Sequence, residues 1–207
     1  MPETETTYAE LLEDRREPNR GFLSLLRFLC VLLLIFCIVL IVFTKVLIGV
    51  QVCGPSMNPT LYGGELASDG TYRGGDYLFV YTFASPDYGD IVVFYSEEEQ
   101  EDLIKRVIAL PGDTISAQNG VLYRTSAEGE TEIVEESYIA DGWHGYIRPY
   151  TVPEGCLYVM GDNRNNSLDS RTFGAIEEES VLGVVTGWSL AWKGFLSDLF
   201  GFFRIAA

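Results

Sequence analysis

Two hydropathy regimes divide the 207-residue chain. From Phe28 to Thr44, between Arg27 and Lys45, every residue is uncharged and nearly all are Leu, Ile, Val, Phe or Cys. That run gives roughly 17 residues, or about 26 Å of helix, just enough to cross a bilayer's hydrocarbon core. Apolar flanks, Phe22 to Leu26 and Val46 to Val50, let it lengthen while Arg27 and Lys45 snorkel toward headgroups. The pattern predicts a single transmembrane anchor helix over residues 21–50. Beyond it, short apolar and aromatic runs at Asp76 to Phe83, Asp90 to Tyr95, Leu103 to Leu110 and Cys156 to Met160 are separated by turn signals such as Gly74-Gly75, Pro86-Asp87, Pro111-Gly112 and Asn119-Gly120. Such runs read as strands and predict a mainly β domain over residues 51–190, built as antiparallel sheets or a partly closed barrel. Within it, Gly120 to Tyr138 reads as a projecting hairpin. The last segment, 191–207, carries Trp192, Phe195, Phe200, Phe202 and Phe203, but Lys193, Asp198 and Arg204 interrupt it. It is too polar for a second span and is expected to form an interfacial helix or a packed end of the β domain.

Charge then orients the span. Arg15, Arg16, Arg20 and Arg27 precede it, and Lys45 is the one nearby base after it. Basic residues set topology, so a cytoplasmic tail over residues 1–20 and an extracytoplasmic β domain are expected. The leader is long and no clear small-x-small site follows the apolar run, so the anchor is expected to stay uncleaved. With 30 acidic against 14 basic residues, a net charge of −16, the chain lacks the clustered Lys and Arg of a nucleic-acid binder. Two of its cysteines, Cys30 and Cys37, fall inside the apolar run. Whether the other two, Cys53 and Cys156, meet is left open by sequence.

Candidate chemistry lies in three segments. In GPSMNPTL, residues 54–61, Ser56 stands in a turn bounded by prolines, which presents a side chain rigidly. A serine needs a base to become a nucleophile. The sole histidine, His144, reads as an exposed loop residue. Lys45 borders the span and Lys193 belongs to the aromatic tail, leaving Lys105 as the one lysine of the β domain. If LIKRVIALPGD, residues 103–113, begins as a strand, Lys105 shares a face with Leu103, Val107 and Ala109, and Arg106 shares the other with Ile104 and Ile108. Desolvation there lowers an amine's pKa and makes it a general base; the same pattern also fits a lysine paired at a sheet edge. In GDNRNNSLDSR, residues 161–171, Ser167 is placed to hydrogen-bond the base, while Asp162, Asp169 and Arg171 tie the loop down. A calcium loop is the weaker reading, since the central Gly is missing and Phe173 stands at the closing acid position. No metal or cofactor is expected.

Taken together, these segments resemble bacterial type I signal peptidases, with Gly54 pointing to the Gram-positive branch. The resemblance rests on Ser56-Met57-Asn58-Pro59-Thr60-Leu61, on Gly89 to Val92, on Lys105 to Asp113, and on Gly161 to Arg171. It implies an N-terminal transmembrane helix followed by a β-rich catalytic domain of the signal-peptidase type. It also implies a Ser-Lys dyad in which Ser56 attacks, Lys105 moves the proton, Ser167 orients Lys105, and Arg106, Asp162, Asp169 and Arg171 support the site. The implied substrates are secretory preproteins cut after small-x-small sites at the bilayer's outer face. Two positions depart from the family's pattern: Gly54, where some members carry a serine that serves the oxyanion hole, and Asn165, where relatives often carry Asp. A scaffold that has lost catalysis is the alternative.

Overall fold

A computed structural model describes residues 20–139 and 142–204, with side chains described over 21–139 and 142–200. The expected tail, Arg20 apart, lies outside the described residues, as do residues 205–207. The chain divides into two compact units, 1–44 and 45–207. In the first, α1 covers Arg20–Ile41 and runs into a π-helical turn, Val42–Val46. The most apolar 18-residue stretch within Gly21–Val46 has a mean hydropathy of 3.3 and none of it is buried inside the protein, so its apolar surface suits lipid.

The expected helix to Val50 stops short, at Val46, because the next residues are claimed by a sheet. Strand β1, Leu47–Gln51, pairs antiparallel with β4, Tyr77–Tyr81, from Leu47 opposite Tyr81 to Gln51 opposite Tyr77. Gly49 suits this crossing, since any Cβ there would collide with the Tyr77 hydroxyl. Between these strands lies a two-stranded ribbon of β2, Glu65–Leu66, and β3, Tyr72–Arg73.

The remaining strands are β5, Ile91–Ser96; β6, Glu101–Ala109; β7, Thr114–Gln118; β8, Val121–Thr125; β9, Thr131–Ile133; β10, Ile147–Thr151; β11, Cys156–Met160; β12, Ile176–Glu177; and β13, Val181–Val185. They build a seven-stranded sheet in the order β1-β4-β13-β5-β6-β11-β12 and a four-stranded sheet in the order β10-β7-β8-β9. Every pairing is antiparallel. The large sheet is open, with β1 and β12 at its edges, so the expected antiparallel sheets are present and do not close into a barrel. The expected hairpin is β8–β9. Short helices follow: α2, Ser170–Phe173; α3, Gly187–Ala191; and α4, Lys193–Arg204.

Burial explains the central position of β6, whose residues Lys105 to Ala109 are all buried although two of them are cationic. Leu103 and Val107 pack with Val92, Phe94 and Val159, as strand alternation predicts. Ala109 does not join them. It packs with Ile108 and Tyr158 instead, because the β11 pairing slips between Tyr158, opposite Ala109, and Val159, opposite Val107. A bulge of this kind breaks the two-residue period.

Candidate active site

Strand β6 and the segment before Tyr62 bring the first two candidates together across 49 residues of chain. Lys105 Nζ lies 3.0 Å from Ser56 Oγ and donates to the carbonyl of Ile104 at 2.9 Å. Ser56 belongs to a compact loop whose local geometry is set by glycine and by two apolar anchors. Gly54 has φ +86°, a conformation that disfavours side chains, and its N–H bonds Gly63 O at 3.0 Å. Gly63 must be bare, since a Cβ would run into the Gly54 backbone. Met57 and Leu61, both fully buried, sit one helical turn apart through the Leu61 N–H to Met57 O bond and plug the loop into a cluster with Val52, Leu78, Ile91 and Val185.

Lys105 is 3% exposed. Burial pulls its pKa down from 10.5 to about 8, against the raising influence of the Asp169 and Glu101 charges. The neutral fraction near neutral pH is thus far larger than for an ordinary lysine, which is what a proton acceptor for the Ser56 hydroxyl requires. His144 is exposed. Cys53 and Cys156 are both free thiols.

The polar loop after β11 fastens this site from above. Asn163 N–H bonds the Ser56 carbonyl at 2.9 Å, and its side-chain amide bonds the Pro55 carbonyl at 3.0 Å. Asp162 receives a two-pronged bond from Arg106, at 2.9 and 2.7 Å, with the carboxylate wholly buried. Asp169 caps α2, accepts Gly161 N–H at 2.9 Å and takes two bonds from the Arg171 guanidinium, each 2.7 Å. Burial opposes the Asp169 carboxylate, but Arg171, Gly161 and Ser167 outweigh it and hold its pKa below the usual range.

Ser167 differs from expectation. Its buried Oγ makes no hydrogen bond of acceptable geometry among the described residues, Lys105 included, although it is close enough to Asp169 to favour the charged carboxylate. It packs against Gly161, where any Cβ would strike both Ser167 Oγ and the Ser56 carbonyl. Lys105 instead satisfies itself through Ser56 and its own backbone. Arg164 was not singled out by sequence, yet its buried guanidinium pairs with Glu136 and reaches the Gly161 carbonyl at 3.1 Å. Its place beside Asn163 in a crowded polar run was the available signal. Two open surface cavities, of about 560 and 370 Å³, are lined by neither Ser56 nor Lys105.

Comparison with known proteins gives a consistent result. Residues 25–189 match the family described as signal peptidase, peptidase S26. Over 125 residues the chain is 39% identical to a probable signal peptidase I-1 of Synechocystis, an alignment covering 55% of this chain and 61% of that one. Over 143 residues it is 37% identical to signal peptidase I P of Bacillus subtilis subsp. natto, covering 64% and 71%. A crystal structure of a signal peptidase I from Enterococcus faecalis aligns at 31% identity over 50% of this chain and 98% of that one, with a TM-score of 0.42.

Proposed function

This chain belongs to the signal peptidase family, peptidase S26, and we propose that it is a membrane-anchored serine endopeptidase that removes signal peptides, with Ser56 as nucleophile and Lys105 as general base. The observation that carries the proposal is the 3.0 Å approach of Lys105 Nζ to Ser56 Oγ, at a lysine whose pKa burial lowers to about 8.

Neutral Lys105 takes the Ser56 proton as Oγ attacks the scissile carbonyl. The oxyanion is met by the Ser56 N–H, which donates to no acceptor among the described residues. Lys105 then gives its proton to the departing amine, leaving an ester on Ser56. Water, deprotonated by the same lysine, hydrolyses that ester and restores the hydroxyl. Ser167, Arg106, Asp162, Asp169 and Arg171 keep the two limbs of the site in register.

The substrate lies extended along β6. The β11 pairing begins at Arg106, so the outer edge of Glu101 to Lys105 is free to accept a strand that leads into the dyad. By the family resemblance the substrate is cut after small-x-small sites, where only small side chains are admitted. The span of residues 21–46 tethers the enzyme to the bilayer that holds the signal peptide, raising the local concentration of both. The tail before the span is cytoplasmic and the β domain extracytoplasmic, in keeping with the basic residues that precede the span. The exposed Trp192 and Phe195 of the C-terminal segment lie at the membrane interface.

The test is cleavage of a model preprotein by the detergent-solubilised chain, with the new N-terminus mapped by mass spectrometry. Ser56→Ala and Lys105→Ala are each expected to lose at least about 10³-fold in kcat/KM. A Lys105→Ala variant near parental activity would exclude the lysine as base, and a parent inactive on several preproteins would leave a non-catalytic scaffold.

A further inference from the structure

One ammonium links the C-terminal helices to the nucleophile loop. Lys193, the first residue of α4, donates from Nζ to the carbonyl of Thr60 at 2.5 Å and pairs with the Asp76 carboxylate at 3.0 Å. The same Asp76 oxygen accepts the Tyr62 N–H at 2.9 Å. The Asp76 backbone bonds Tyr62 O at 2.8 Å and Val52 N at 2.9 Å. Residues 52–62 thus form a loop closed at its base by Asp76, with Ser56 near its middle. Asn163 holds the limb before Met57, through Pro55 and Ser56. Lys193 holds the limb after it, through Thr60.

The helix that carries Lys193 is itself well seated. Its Ser197 Oγ accepts the Tyr77 N–H at 2.8 Å, Leu196 is buried, and Tyr77 stacks on Phe200 at 4.4 Å. Strand β13 pairs with β4 only at Val80 and Tyr81, so α4 takes over the edge that β13 leaves bare at Tyr77. Leu190 of α3 packs on the cluster that holds Met57 and Leu61. A lysine on so firmly docked a helix can transmit that rigidity to a loop that has little regular hydrogen bonding of its own.

We propose that Lys193 is a positioning residue for the reaction: by fastening Thr60 and Asp76 from the C-terminal helix, it fixes where Ser56 stands relative to Lys105. The inference rests on the reading of Ser56 as nucleophile. Reaction demands that the attacking oxygen be placed to within a fraction of an ångström, and a displacement of about 1 Å costs on the order of 100-fold in rate. The extended substrate site along β6 does not involve Lys193, so its loss should act on turnover rather than on binding.

The experiment compares the full-length, detergent-solubilised parent with Lys193→Met, Lys193→Arg and Asp76→Asn in preprotein cleavage, and follows amide hydrogen exchange in parallel. Lys193→Met is expected to lower kcat by about tenfold or more, with KM within about twofold. Lys193→Arg, which keeps a charged multiple donor, should recover most of that loss, and Asp76→Asn should fall between the two. Faster exchange in Lys193→Met should be confined to residues 57–62, with β5 and β6 unchanged. A Lys193→Met enzyme with parental kcat would overturn the proposal. So would a loss of exchange protection across the whole β domain, which would make Lys193 merely structural. Ser56→Ala is run beside them: if it stays active, the nucleophile assignment fails, and that result is separate from any effect at Lys193.

Discussion

Strand β6 buries two neighbouring cations, and their surroundings differ in kind. On one face Arg106 finds a full set of partners: the two oxygens of Asp162, the Gly89 carbonyl at 2.7 Å, and the ring of Tyr138 at 4.0 Å. On the other face Lys105 meets a hydroxyl and a backbone carbonyl, with Asp169 and Glu101 acting only through space. A guanidinium cannot shed its proton, so its burial requires a carboxylate. An amine can, and burial without a partner favours the neutral form. The difference assigns the structural work of the strand to Arg106 and leaves Lys105 free for chemistry.

The largest effect expected from breaking this contrast is at the paired cation. Arg106→Met strands a wholly buried Asp162 carboxylate, and losing one member of a buried pair costs about 3–5 kcal/mol. Urea unfolding of the detergent-solubilised chain should register the loss as a lower midpoint with an unchanged slope. The double variant Arg106→Met, Asp162→Leu should recover much of it, because it leaves no charge behind. A single variant as stable as the parent would mean that water already reaches the pair.

Much of this arrangement was legible in the chain, and the illegible parts share one cause. Strand β11 was bounded residue for residue, and β4, β5 and β6 to within a few, because apolar runs between turn residues report burial directly. The polar run after β11 announced a loop, since so many Asn, Asp and Arg cannot sit in a core unpaired. Which partners those residues choose was a different matter. The local run marks Asp162 as a tie without naming its partner, which lies 56 residues away. Lys193 belongs by sequence to the aromatic tail, yet it reaches Thr60, 133 residues away. The helix stops short of Val50 for the same reason: Leu47 to Val50 are apolar enough for either fate, and β4 decides. Periodicity is local, whereas pairing and register are properties of the assembled sheet.

At the unpaired cation the sign of the effect reverses. The folded state holds Lys105 at about 8 against 10.5 for an ordinary lysine, so between these values the unfolded chain binds a proton that the folded chain does not. Stability therefore rises as pH rises from about 8 to 10.5, and below about 8 the lysine destabilises the fold by roughly 3 kcal/mol. Lys105→Met should unfold at higher urea than the parent at pH 7, by about that amount, and the gain should vanish near pH 10.5. In the active parent, kcat/KM should climb through a midpoint near pH 8 as the amine becomes neutral. If Lys105→Met proved less stable than the parent at pH 7, packing by the lysine stem would dominate, and the contrast with Arg106 would be lost.

The smallest effect is expected at Ser167, and it sharpens the comparison by asking whether the unpaired cation has a hidden partner. A buried hydroxyl without a hydrogen bond of good geometry recovers little for the water it gave up beyond its weak support of the Asp169 carboxylate, so its removal costs the fold little. Ser167→Ala should leave stability within about 1 kcal/mol of the parent in the same urea experiment. Catalysis is a separate matter, because the hydroxyl lies beside Gly161, whose Cα faces the Ser56 carbonyl, and beside Asp169, which acts on the Lys105 charge. A role in orienting the site corresponds to one neutral hydrogen bond formed during turnover, or about tenfold in kcat/KM. No change in rate would reduce Ser167 to a packing residue, whereas a loss near that of Lys105→Ala would put its hydroxyl on the path of the proton. In that last case Lys105 would be a paired cation after all, with its partner engaged only when substrate is bound.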